Sequence, residues 1–134
     1  MTRRLDVSWG HQERAVARSV EELDELLDRL DAAARADGRP QDVQLTASDG
    51  GGTLGVVVGD RRTVLNHVPA DGDPPYMTSR GEEDADRVLT FFVAGDHHSE
   101  AHWRNTVPMV AGREAARTFL LSGRLDDRVR WEEV

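Results

Sequence analysis

Apolar residues repeat along this chain with two periods. Two stretches follow the 3.6-residue period of a helix. In the first, Val20, Leu23, Leu27, Leu30 and Ala34 fall on one stripe, with Leu26 and Ala33 widening it. Ser19-Val-Glu-Glu22 precedes the stripe as a capping box, in which the serine hydroxyl accepts from the Glu22 amide and the Glu22 carboxylate reaches back. Glu21 and Glu22 suit the positive end of the helix dipole and Arg35 the negative end, and Gly38 and Pro40 stop the helix. The second stretch begins at Ala111 and places Ala115, Thr118, Phe119 and Ser122 on one face. Gly123 follows where a helix commonly ends in a left-handed residue.

The remaining apolar runs have the two-residue period of strands. Leu5, Val7 and Trp9 alternate with Asp6 and Ser8, and Gly10 ends the run. Val43, Leu45 and Ala47 alternate similarly, and Ser48 to Gly52 is turn chemistry. Leu54 to Val58 is apolar throughout, as a central strand is, and Asp60-Arg61-Arg62 turns into Thr63 to Val68. These three form an antiparallel meander. Pro69 to Pro75 is a loop, Tyr76 to Ser79 is extended, and Glu82 to Asp86 makes a second, acidic loop. Val88 to Val93 is another long apolar strand, which Gly95-Asp96 turns toward His97 to Trp103. Leu125, Val129 and Trp131 alternate with Arg128, Arg130 and Glu132 in a closing strand. The pattern predicts an α+β fold: an antiparallel sheet of about six strands with two helices packed on it. Leu23, Leu27, Leu30, Val56, Val58, Leu89, Phe91 or Phe92, Phe119 and Trp131 are the expected core.

Composition narrows the classes. The 134 residues fit a single domain, 1–134, and neither side of the Pro69 to Pro75 loop has a core of its own. Cysteine is absent, which excludes disulfides and thiolate metal sites. No run approaches the ~18 apolar residues of a membrane span, and the N-terminus lacks an apolar secretory core, so no membrane partner and a cytoplasmic location are expected. All 17 basic side chains are arginine, and the net charge is −8. That charge argues against direct nucleic-acid binding, which needs a basic footprint. It suits a basic protein partner, since complementary potentials speed encounter.

One cluster carries metal-like chemistry. His98 and His102 lie four apart with Glu100 between them, a spacing that shares a face on a helix or a strand, and His97 and His67 are further candidates. The order differs from that of a zincin, whose glutamate directly follows the first histidine. The expectation is therefore no metal and no cofactor, with a metal-dependent hydrolase built on His98, Glu100 and His102 as the alternative. Gly50 to Gly52 and Gly55 are not a phosphate loop, because no Gly-Lys-Ser/Thr follows them. Ser79 and Ser99 lack a nucleophile elbow. A small-molecule-binding or adaptor domain of the same fold is a third reading.

Tyr76 with Ser79 and Gly81, the acidic run Glu82 to Asp86, the strand Val88 to Gly95, Ser99-Glu100, Val107-Pro108, Phe119-Leu120 with Gly123, and Trp131-Glu132 follow one another in that order. The series resembles the C-terminal half of the Imm-one-type immunity proteins of bacterial polymorphic toxin systems. A weaker echo lies in the capped first helix and the meander. The chain departs from the pattern after Ser99-Glu100, where the family often has an aromatic and prolines and this chain has Ala101-His102-Trp103. The resemblance implies a non-enzymatic inhibitor, encoded beside a toxin and binding it tightly inside the producing cell as a monomer or weak dimer. Toxins in such systems are often nucleic-acid-directed, deaminase-like domains among them.

The candidate toxin-binding residues are Glu82 and Glu83 in the acidic loop and Asp96, Glu100, His102 and Trp103 in the hairpin. Trp103 is the expected anchor, Glu100 an arginine acceptor, and the loop a rim that speeds association; the competing reading folds Trp103 inward and leaves both stretches as soluble surface. A strand of about eight residues, ~25 Å long, joins the two stretches, so they are expected at opposite ends of it.

Overall fold

The computed structural model describes residues 3–134. In chain order its elements are β1 (Leu5–Trp9), β2 (Glu13–Ala17), α1 (Val20–Asp37), β3 (Gln41–Ala47), β4 (Thr53–Val58), β5 (Arg62–Val68) and β6 (Met77–Arg80). They continue with β7 (Val88–Val93), β8 (His97–His102), a 3-10 turn at Trp103–Asn105, β9 (Thr106–Pro108), α2 (Met109–Ser122) and β10 (Arg130–Glu133). The class is α+β with two helices, but the sheet has ten strands rather than about six. Neither β2 nor β9 is visible in the apolar pattern. β2 reads Glu-Arg-Ala-Val-Ala and points only alanines at the core, and β9 is three residues ending in proline.

The main path of the sheet runs β10-β6-β5-β4-β3-β1-β2. β9 pairs with the first half of β5, from Arg62 to Val64. β7 joins β3 through a single parallel pair, Gln41 with Phe92, and carries β8 as an antiparallel hairpin. One edge of β3 is therefore shared. β1 pairs with Gln44 to Ala47, β7 pairs at Gln41, and Asp42 and Val43 lie between the two strands.

Both helices cover one face of the sheet. Leu5, Val7, Val43, Leu45, Leu54, Val56, Val58 and Leu65 pack there against Leu23, Leu27, Ala115 and Phe119. The alternate residues Val57 and Val64 form a second cluster with Leu89 and Phe91, joined by Val93, Ala101 and Trp103. The β7–β8 hairpin thus folds over part of the face the helices leave bare. This explains the continuous apolar run of β4, which is buried on both sides.

Local signals set the helix ends as the sequence predicts. The Ser19 hydroxyl accepts from the Glu22 amide at 3.1 Å. Gly38 and Gly123 close the two helices with φ of 64° and 70°. Gly112 lets α2 settle on β5, because a Cβ there would collide with Thr63. Across the helix pair, Arg113 donates to the Asp24 carbonyl at 3.0 Å and pairs with Asp28 at 2.8 Å, and Arg117 pairs with Asp24 at 2.9 Å.

One core expectation needs correction. Trp131 is only half-buried, because its indole N–H is held at the surface by the Asp126 carbonyl, 2.9 Å away. Of the phenylalanine pair, Phe91 is buried and Phe92 faces outward. The closing strand is also shorter than its alternation suggests. The Asp126 carboxylate accepts from the Arg128 amide at 3.0 Å and makes a turn of that stretch, so pairing begins at Arg130.

Candidate functional site

Alternation along β8 decides which side chains the hairpin presents. Ser99 and Ala101 stand opposite Phe91 and Leu89, on the side packed against the sheet. His98, Glu100 and His102 stand opposite Phe92, Thr90 and Val88, on the outer side, and all three are exposed. β8 pairs only with β7, so its other edge carries unpaired backbone groups. At the turn end of this strip, Arg39 stacks on Phe92 at 3.9 Å, and the His98 ring meets Phe92 edge-on at 5.8 Å.

The expected separation of loop and hairpin is half right. Asp96 sits in the β7–β8 turn, at one end, 4.0 Å from the His11 imidazole. β8 then returns antiparallel and brings Trp103 back to the acidic loop at the other end. The Trp103 indole N–H donates to the Glu83 carboxylate at 3.0 Å, and Arg62 pairs with the same oxygen at 3.2 Å. Arg87 stacks on the Trp103 ring at 4.0 Å. Backbone bonds pin the loop too: Gly81 N–H donates to the Arg104 carbonyl at 2.7 Å and Trp103 N–H to the Arg87 carbonyl at 2.9 Å. Trp103 is half-buried against Val57, Val64, Leu89 and Phe91. Glu82, Asp84 and Asp86 remain exposed. Asp84 lines an open groove of about 1080 Å³ together with Arg61, Arg62, Glu83, Arg87 and Trp103, among others.

The histidines do not converge. Among the described residues, no group of three or more His, Cys, Asp or Glu side chains is placed to hold a metal ion. His67 lies on the helix-covered face, where its Nε2 bonds the Gly51 carbonyl at 2.8 Å and its ring packs edge-on to Phe119. His98, Glu100 and His102 do share a face, as their spacing predicts, but they point into solvent from one flat strand.

Sequence reasoning missed the partners of Trp103 and a buried carboxyl, Asp42. Asp42 occupies an alternate position of β3, on the face without helices, and is 7% exposed. Burial raises its pKa from 3.8 to about 6, and a hydrogen bond from the Gln44 amide only partly opposes the shift. Aspartate is depleted in strands, and that depletion was the available signal.

The sequence matches the family of Immunity protein Imm1 over residues 11–133, nearly the whole chain. The chain belongs to the Imm1 immunity protein family. The same architecture occurs in a hypothetical protein from Neisseria gonorrhoeae, with a TM-score of 0.51 at 9% identity over 94% of this chain and 91% of that one. At that identity the likeness is one of fold alone. No curated protein matches the chain. The β7–β8 hairpin lies over the face the helices leave bare, turns alternating polar side chains outward, and ends beside an acidic loop bonded to Trp103.

Proposed function

We propose that this chain is a single-domain, non-enzymatic inhibitor that binds the toxin encoded beside it and covers the toxin's active site with the β7–β8 hairpin. The family match over residues 11–133 carries this reading. The charge of −8 supports it, because an acidic inhibitor complements the basic cleft of a nucleic-acid-directed toxin, a deaminase-like domain among the candidates. It would act in the cytoplasm of the producing cell, as a monomer or weak dimer, without contacting nucleic acid itself.

Within that surface, His98, Glu100 and His102 form the contact strip and Asp96 its far end. Glu82 forms the near end, with Asp84 and Asp86 beside it. Trp103 has two roles. It presents one edge to the groove and, through Glu83, holds the acidic loop in a fixed position before the toxin arrives, which lowers the ordering cost of binding. Glu83 is already paired, so the loop's steering charge comes from its unpaired neighbours.

The test is kinetic, with the toxin domain of the adjacent reading frame. Glu82→Lys combined with Asp84→Lys should slow association by about tenfold at low salt and much less at high salt, with little change in dissociation. Glu100→Arg should speed dissociation. If both variants associate and dissociate as the parent protein does, the hairpin is not the docking surface. Should the parent protein fail to bind that toxin or to protect cells expressing it, the inhibitor reading itself falls.

A further inference from the structure

Asp42 has no role in the hairpin contacts, yet its placement is unusual. It lies in the break along β3 between the end of β1 and the single bridge to β7. A cavity of about 220 Å³ opens there, lined by Ser8, Trp9, Gln12, Arg14 and Gln44 along with Asp42, and closed by Val93 and Ala94 of the hairpin. Its walls are two tight turns. One holds Gly10 and Gln12 with φ of 57° and 70°, and the other holds Ala94 and Gly95 with φ of 52° and 93°. Gln12 and Ala94 are the chain's non-glycine residues of positive φ among those described, and both line this cavity. Gly55 of β4 leaves room for the carboxyl, since a Cβ there would lie 3.0 Å from Asp42 Oδ1.

The ion pairs of the described residues leave out Asp42, whose one side-chain partner is the Gln44 amide. Arg14 is the other charged side chain lining the cavity, and it is exposed and unbonded to Asp42. A carboxyl removed from water without a counter-cation is a costly arrangement for a fold to keep. It becomes favourable when a ligand brings several donors and a positive charge.

We infer that this cavity is a socket for one arginine side chain of the bound toxin, received by Asp42 between the β1–β2 and β7–β8 turns. The inference rests on the inhibitor reading above and deepens it, because the socket opens beside the Asp96 end of the hairpin. The cavity is smaller than the ~300 Å³ at which pockets for drug-sized ligands begin, which suits a single side chain. A planar guanidinium offers five N–H donors in a fixed fork that matches a carboxylate, whereas an ammonium is a point charge. Protonation of Asp42 would remove the charge the arginine needs, so the contact should weaken as pH falls through about 6.

Two measurements test the socket. In the first, methylguanidinium chloride is titrated into isotope-labelled protein at pH 7.5, with sodium chloride and methylammonium chloride as controls. Saturable shifts of the Gln44 and Gln12 side-chain amide signals are expected, absent at pH 5 and in Asp42→Asn. Equal responses in Asp42→Asn, equal responses to methylammonium, or no saturable response would overturn the socket. This arm does not involve the toxin, so it stands apart from the inhibitor reading. In the second, Asp42→Asn should bind the adjacent toxin about tenfold or more weakly at pH 7.5, through faster dissociation. If the parent protein binds that toxin and Asp42→Asn binds it equally well, the socket is not used. If the parent does not bind it at all, the failure belongs to the inhibitor reading.

Discussion

Two buried aspartates show how position sets the chemistry of one residue type. Asp126, 3% exposed, receives two guanidinium bonds from Arg128, at 2.9 and 2.8 Å, which hold its carboxyl below the usual range. Asp42, 7% exposed, has only an amide donor, and burial pushes it up to about 6. The consequences for stability have opposite signs. Asp126 contributes stability at neutral pH that is lost as its carboxylate protonates on acidification. Asp42 binds its proton more tightly in the folded state than in the unfolded chain. Its contribution is greatest below its unfolded value of 3.8 and declines as pH rises to about 6. A shift of this size corresponds to roughly 3 kcal/mol at neutral pH. Asp42→Asn should therefore stabilise the protein at pH 7, by up to about that amount, and give no gain near pH 3.5. Denaturant unfolding at the two pH values checks this. A variant destabilised at pH 7 would show that the Asp42 carboxylate is compensated within the fold. Weaker toxin binding in a more stable protein would mark a residue kept for function.

Elements differ in how legible they are. α1 and α2 are readable because a 3.6-residue stripe, a cap and a terminal glycine agree in each. The strands β1, β3, β4, β5 and β7 follow from alternation or from continuous apolar runs. β2 and β9 are unreadable because they are held by long-range pairing rather than by their own side chains, with Glu13 to Ala17 set against β1 and Thr106 to Pro108 against β5. The exposed strip of β8 follows from its sequence once the hairpin register is known. The meeting of Trp103 with Glu83 does not, because it depends on where a hairpin anchored by one parallel pair folds back.

That anchorage makes the hairpin end sensitive to its aromatic residue. Trp103→Ala removes a half-buried ring from the small second cluster and frees Glu83. The expected cost is about 1–3 kcal/mol, less than the 3–5 kcal/mol of a fully buried aromatic. Trypsin should cut after Arg87 faster in the variant, with cleavage within α1 unchanged. Equal rates after Arg87 would mean that Trp103 does not hold the loop.

At the scale of the molecule, the two faces of the sheet divide the work. One face carries α1, α2 and the main core, tied across the helix pair by Arg113 and Arg117. The other is partly covered by a hairpin with a small core of its own, and it presents the acidic loop, the free edge of β8 and the cavity at Asp42. With the docking surface we propose, folding and recognition lie largely on separate faces. The departure from the family pattern at Ala101-His102-Trp103 falls on this second face. The central claim, that the toxin docks on this side, is tested most directly by hydrogen exchange of the free protein and of its complex with the adjacent toxin domain. The account predicts slowed exchange in Glu82 to Arg87 and Ala94 to Trp103, with the amides of α1 and α2 unchanged. Protection confined to α1 and α2, with the hairpin exchanging as in the free protein, would contradict it.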